Sequence, residues 1–170
     1  MNVQDSLVAG GSQPLMDLLD TLVRPTASWA NIGLVIGTSS AAKVKTTSAS
    51  SCTFGGIFGT ALAATTEVAF TATTHDIAAS ASSVQEACYL LSVNAAGTAT
   101  LTMGAVSSGA GTALVPDCPA DNCAIGYLRL AVAAGATSFD ASTDLLSATH
   151  LTDTYYSIGG VWGEKFASAV

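Results

Sequence analysis

The chain is short of charge. Charged residues make up 10% of its 170 residues while apolar residues make up 49%, and ordinary soluble domains carry about a quarter charged. Its exposed faces are therefore expected to be rich in Ser and Thr. Such surfaces offer little repulsion between copies, so much of the surface is expected to be covered by neighbouring subunits. Positive charge is scarcest: Arg24, Lys43, Lys45, Arg129 and Lys165 face twelve acidic residues, for a net charge of −7. Binding a phosphate backbone needs clustered Lys and Arg, and none cluster here, which argues against nucleic acid and against an anionic membrane. One uncharged stretch, residues 46–66, has the length of a membrane span, but its Thr, Ser and Gly make it too polar for one. The start, MNVQDSLVAGGSQ, lacks a basic segment followed by an apolar core. The expectation is a chain made and assembled in a cytoplasm.

Groups that carry chemistry are also few. The two histidines are His75 and His150. A G-x-S-x-G elbow is absent, and GGIFG at 55–59 lacks the lysine and the helix of a phosphate loop, so its glycines read as a turn. His75-Asp76 reads as a solvated turn rather than a catalytic base. Asp140 and Asp144 would meet on a helical turn, but the dense Asp/Asn/Gly ladder of a calcium loop is missing; Asp117 and Asp121 are no stronger. Cys52 and Cys88 sit in apolar runs and read as space-filling thiols. Cys118 and Cys123, in VPDCPADNC, are close enough to close a small loop as a disulfide, or remain thiols; their spacing is not that of a zinc knuckle. Aromatic residues are sparse, with Trp29, Trp162 and Tyr155-Tyr156 read as core or subunit contacts. The expected reading is no enzyme, no metal and no cofactor.

Residues 13–23, QPLMDLLDTLV, place Leu15, Leu18, Leu19 and Leu22 at helical spacing, with Pro14 in the first turn and Arg24-Pro25 stopping the element. A helix this short needs a surface for its leucine stripe. That surface is either its own domain or a neighbouring subunit, reached by an N-terminal arm. From Ala30 onward short runs rich in Val, Thr, Ile, Phe and Tyr alternate with Gly, Ser, Asn and Pro, the all-β signal. Strands are expected near 32–36, 42–47, 52–61 (a hairpin over Gly55-Gly56), 68–72, 87–93, 98–104, 124–132 and 154–158. Asn94-Ala95-Ala96-Gly97 supplies the residues that tolerate positive φ in a hairpin loop. Pro116 and Pro119 make 106–121 an extended link, and DASTDLLSA could form one helical turn. This divides the chain into an arm with a short amphipathic helix, residues 1–30, and a β-domain, residues 31–170.

The order of segments AAKVKTT (41–47), CTFGGIFG (52–59), YLLSVNAAGT (89–98), IGYLRLAV (125–132), FDASTDL (139–145) and TYY (154–156) resembles a recurrent structural protein of tailed bacteriophages, over roughly residues 41–160. The resemblance implies an antiparallel β-sandwich or small β-barrel used in building the virion, without catalysis. Among virion roles it favours a decoration (cement) protein on the outer capsid surface, bound to the major capsid protein as a homo-oligomer, commonly a trimer. On that reading Leu15, Leu18, Leu19, Leu22 and Trp29 carry the arm's contact, through apolar burial at about 25 cal/mol per Å² before association costs. A tail, fibre or collar protein and a carbohydrate-binding β-sandwich are the alternatives.

Overall fold

The computed structural model describes residues 27–28, 32–37, 42–54 and 57–158. These form eleven strands: β1 (Ala27–Ser28), β2 (Leu34–Ile36), β3 (Lys43–Thr46), β4 (Cys52–Phe54), β5 (Ile57–Phe58), β6 (Glu67–Ala69), β7 (Gln85–Asn94), β8 (Ala99–Met103), β9 (Ser107–Ser108), β10 (Asn122–Val132) and β11 (Leu151–Ser157). The protein is all-β, as its alternating Val/Thr/Ile runs predict, and the described residues contain no helix. The expected N-terminal helix, with Leu15, Leu18, Leu19, Leu22 and Trp29, lies outside the described residues.

The strands make three antiparallel sheets: a central one in the order β11-β10-β7-β8 with β9 on the start of β7, and two three-stranded ones in the orders β1-β4-β5 and β2-β3-β6. Among the described residues the sheets stay open, so the architecture is sandwich-like and not a barrel. β7 and β8 meet in the expected hairpin. Asn94 Oδ1 accepts from the N–H groups of Ala96 (3.1 Å) and Thr98 (2.9 Å), and Gly97 takes φ +81°, a conformation glycine adopts without strain.

The core lies between the central sheet and the two smaller ones. β7 contributes Ala87, Tyr89, Leu91 and Val93 at period two; β10 contributes Cys123 and Ile125, then Leu128, Leu130 and Val132. The step of three between Ile125 and Leu128 would turn one of them outward in a regular strand. A register shift between Ala124 and Gly126 absorbs the extra residue, a β-bulge that returns the later side chains to the core. Gly126 is fixed there by space, since a Cβ would stand 2.9 Å from the Tyr156 carbonyl oxygen. Ile32, Leu34, Val44, Phe70, Ile77, Phe139 and Leu146 close the core from the opposite side. Each such large side chain removed from water contributes roughly 1.5–3 kcal/mol.

His75 is part of this core and not of a solvated turn. It is 4% exposed and sits edge-on to Phe70 and Tyr89, each with ring centroids 5.7 Å away. Its Nδ1 accepts from the Thr71 N–H (2.8 Å), and its carbonyl accepts from the Tyr89 hydroxyl (2.7 Å). Local composition suggested water because the aromatic walls come from distant strands. Burial is the main influence on the imidazole and lowers its pKa, with Asp76 and the Leu101 backbone opposing it.

Candidate functional site

The outward face of the central sheet gathers what polar chemistry the domain has. Strand register sets its rows: Tyr127 stands between Leu90 and Tyr156, Arg129 between Cys88 and Thr154, and Ala131 between Glu86 and Thr152. Glu86 and Arg129 are therefore diagonal neighbours, within reach of long side chains. Arg129 Nε lies 4.0 Å from Glu86 Oε1, and Glu86 is only 3% exposed.

The pair holds a strap of chain, residues 104–121, across this face. Glu86 Oε2 accepts from the Ala113 N–H (3.1 Å), while the Ala113 carbonyl accepts from Arg129 Nη2 (3.2 Å) and from the Cys88 thiol (3.4 Å). The Gly104 N–H donates to the Cys88 carbonyl (2.8 Å), and β9 pairs with Gln85 and Glu86. Ala113 is thereby buried within a segment read from sequence as a mere extended link. The strap explains why β7 is buried on both faces along nearly its whole length. Burial raises the Cys88 pKa, with Arg129 opposing it.

Beside the strap a cavity of about 200 Å³ opens over Glu86 and Arg129, walled by Ala131, Ala133, Thr152 and Thr154. Next to it Tyr127 and Tyr156 stack with ring centroids 4.5 Å apart and planes 11° from parallel, and Tyr156 is 40% exposed. Sequence reading singled out Tyr155-Tyr156 but not this partner. The outward positions 127, 129 and 131 alternate with Leu128, Leu130 and Val132, which was the available signal; the cross-strand register was not.

The other residues with chemistry mostly brace their own loops. Asp76 Oδ1 accepts from the Ala141 N–H (2.9 Å) and Oδ2 from the Thr73 N–H (3.2 Å). Asp144 Oδ2 accepts from the Asp140 N–H (2.8 Å), and Asp140 Oδ1 accepts from Ser142 N–H and Oγ–H, bonds that lower the Asp140 pKa. The Asp144 N–H donates to the Asp140 carbonyl (2.9 Å), the single helical turn expected of DASTDLLSA. His150 Nε2 stands 3.9 Å from Asp144 Oδ2, so the acids turn to backbone and histidine rather than to each other. Among the described residues no group of three or more His, Cys, Asp or Glu is placed to hold a metal ion.

Cys118 and Cys123 are thiols in this structure. Cys118 Sγ donates to the Asn122 carbonyl (3.4 Å) and Cys123 Sγ to the Ala124 carbonyl (3.7 Å), while Cys123 and Cys52 lie in one core cluster. β4 and β5 pair antiparallel as the expected hairpin, with Ile57 and Phe58 71% and 70% exposed on its outer strand. β1 joins the same small sheet through β4, at the edge opposite β5. No protein-family model, curated protein or solved structure matches the chain.

Proposed function

We propose that the chain is a structural component of a tailed-phage virion, a capsid decoration protein that binds the outer surface of the major capsid protein as a homo-oligomer, in the commonest arrangement a trimer. One observation carries the reading. The charged groups of the domain's centre, Glu86, Arg129, Asp76 and Asp144, are occupied in holding its own backbone, while the exposed side chains of β11 and β5 are uncharged. The presented surfaces are Thr152, Thr154 and Tyr156 along β11, at the end of the central sheet, and Ile57 and Phe58 on β5. A strand at a sheet end with few charges accepts another chain readily. An arm carrying Leu15, Leu18, Leu19, Leu22 and Trp29 would add a second apolar surface that meets the capsid.

The test is the copy number of this chain in purified virions, by quantitative mass spectrometry against the major capsid protein. Hundreds of copies in a simple ratio to capsid subunits support decoration. A handful moves the protein to the tail, fibre or collar, and none overturns the virion reading. The partly exposed Tyr127–Tyr156 stack favours a second reading, a carbohydrate-binding module, because a sugar ring packs on such a platform. Glycan-array binding lost on Tyr156→Ala would select it.

A further inference from the structure

Three of the four thiols converge where the β4–β5 hairpin meets one end of the central sheet. The hairpin's return is fixed there by backbone bonds: the Gly59 N–H donates to the Cys52 carbonyl (2.9 Å) and the Thr60 N–H to the Ala95 carbonyl (2.9 Å) in the β7–β8 turn. Cys123 stands opposite Val93, close to that turn, on β10, and β4, which carries Cys52, packs against β10. Both belong to the core cluster, at 3% and 1% exposure for Cys52 and Cys123. Cys118 is half-buried, rests on the carbonyl of the residue preceding Cys123, and acts electrostatically on Cys123. Cys118 is thus the one partly exposed thiol, and Cys123 and Cys52 both lie in the core. They are not arranged as metal ligands.

We propose that these three cysteines form a thiol–disulfide relay whose stable oxidised product is a Cys52–Cys123 disulfide, a covalent clamp between the β1-β4-β5 sheet and the central sheet. The oxidant is a low-molecular-weight disulfide of the glutathione type. Cys118, the most accessible of the three, attacks one sulfur of that disulfide as the thiolate and expels one small thiolate. Cys123 gives up its proton, attacks the Cys118 sulfur and expels the second small thiolate. Cys52 then gives up its proton and attacks the Cys123 sulfur, returning Cys118 to a thiol. In sum two protein thiols are oxidised to one disulfide, and the small disulfide is reduced to two thiols that carry the two protons.

Burial raises the Cys118 pKa, and the Cys52 thiol together with burial raises that of Cys123. The relay is accordingly slow at neutral pH and accelerates as pH rises and the thiolate fraction grows. A reducing cytoplasm keeps the clamp open, and an oxidising exterior closes it. The chemistry does not depend on the virion reading, which supplies only the occasion, the release of particles from the cell.

The experiment uses the full-length chain, reduced and then incubated with oxidised glutathione. Samples are quenched by alkylation and mapped by mass spectrometry without reduction. The expected product has lost two hydrogens, carries a Cys52–Cys123 linkage, and melts roughly 5–15 °C higher than the reduced chain. Cys118→Ser should reach the same linkage roughly tenfold more slowly, and Cys52→Ser should stop at a Cys118–Cys123 bond. Cys88, fully buried and away from this cluster, remains a thiol throughout. Wild-type product containing only Cys118–Cys123, glutathione adducts without an internal bond, or a Cys118→Ser rate equal to wild type overturns the proposal. Because the wild-type map needs no variant, a misfolded substitution does not spare it, and virion copy number can fail independently.

Discussion

The two faces of the central sheet are buried by different means. The inner face is closed mainly by side chains: Tyr89, Leu91, Leu128 and Leu130 share a core with Phe70, Ile77 and Phe139 from segments outside the central sheet. The outer face is closed by backbone, a strap whose Ala113 is gripped at both its N–H and its carbonyl by Glu86, Arg129 and Cys88. Apolar burial is non-directional and tolerates repacking. A strap held by charged groups has a fixed position, and removing one partner leaves the others desolvated without compensation.

The largest effect is therefore expected on the inner face. Phe139 is fully buried and meets Phe70 edge-on at 5.7 Å. Phe139→Ala should destabilise the protein by roughly 3–5 kcal/mol in urea unfolding. On the outer face Glu86→Ala should cost roughly 2–3 kcal/mol, less than a deeply buried pair because the Arg129 side chain is 28% exposed. The double variant Glu86→Leu/Arg129→Leu should cost less than Glu86→Ala, since no charge is stranded. If instead the double variant is the sum of its singles, the strap is held by packing and the contrast between the faces fails.

How much of this was legible in the sequence follows the same division. Strands β7, β8 and β10 and the Asn94–Gly97 loop could be placed because period two and turn chemistry are local signals. The bulge between Ala124 and Gly126 was hidden, since it depends on which residue of β7 each residue of β10 faces. The strap was read as a link because Pro116 and Pro119 say only that a segment is extended, and its grip belongs to Glu86 and Arg129, more than ten residues away on either side. The thiol cluster was half legible: proximity in sequence suggested Cys118 with Cys123, but the neighbour of Cys123 in the core is Cys52, brought in by the hairpin. His75 failed for the same reason, one of its two aromatic walls, Tyr89, being supplied by β7.

His75 sharpens the comparison on the inner face through pH. Its folded-state pKa is depressed from 6.5, so the folded protein prefers the neutral ring while the unfolded chain takes up a proton. The stability this supplies is fully present above pH 6.5 and is lost as pH falls through the folded pKa. Melting temperature should fall on acidification below 6.5, and His75→Gln, which keeps an acceptor for the Thr71 N–H, should show a flatter profile over that window. An identical profile would mean that carboxylates such as Asp140, whose pKa is lowered by its bonds to Ser142, govern the acid limb instead.

The smallest effect is expected where the outer face is left uncovered. Tyr156 stacks on Tyr127 but remains 40% exposed, so Tyr156→Ala loses an aromatic pair worth about 0.5–1.5 kcal/mol and little buried area. Unfolding should shift modestly while the strap stays in place, because Glu86, Arg129 and Ala113 do not contact this ring by any bond that holds the strap. An effect as large as that of Glu86→Ala would make the stack a third support of the strap. A small one would leave the tyrosine free of structural duty, and the ring would then be exposed for what it binds: a neighbouring subunit along β11 if virion copy number is high, a sugar if the glycan array responds.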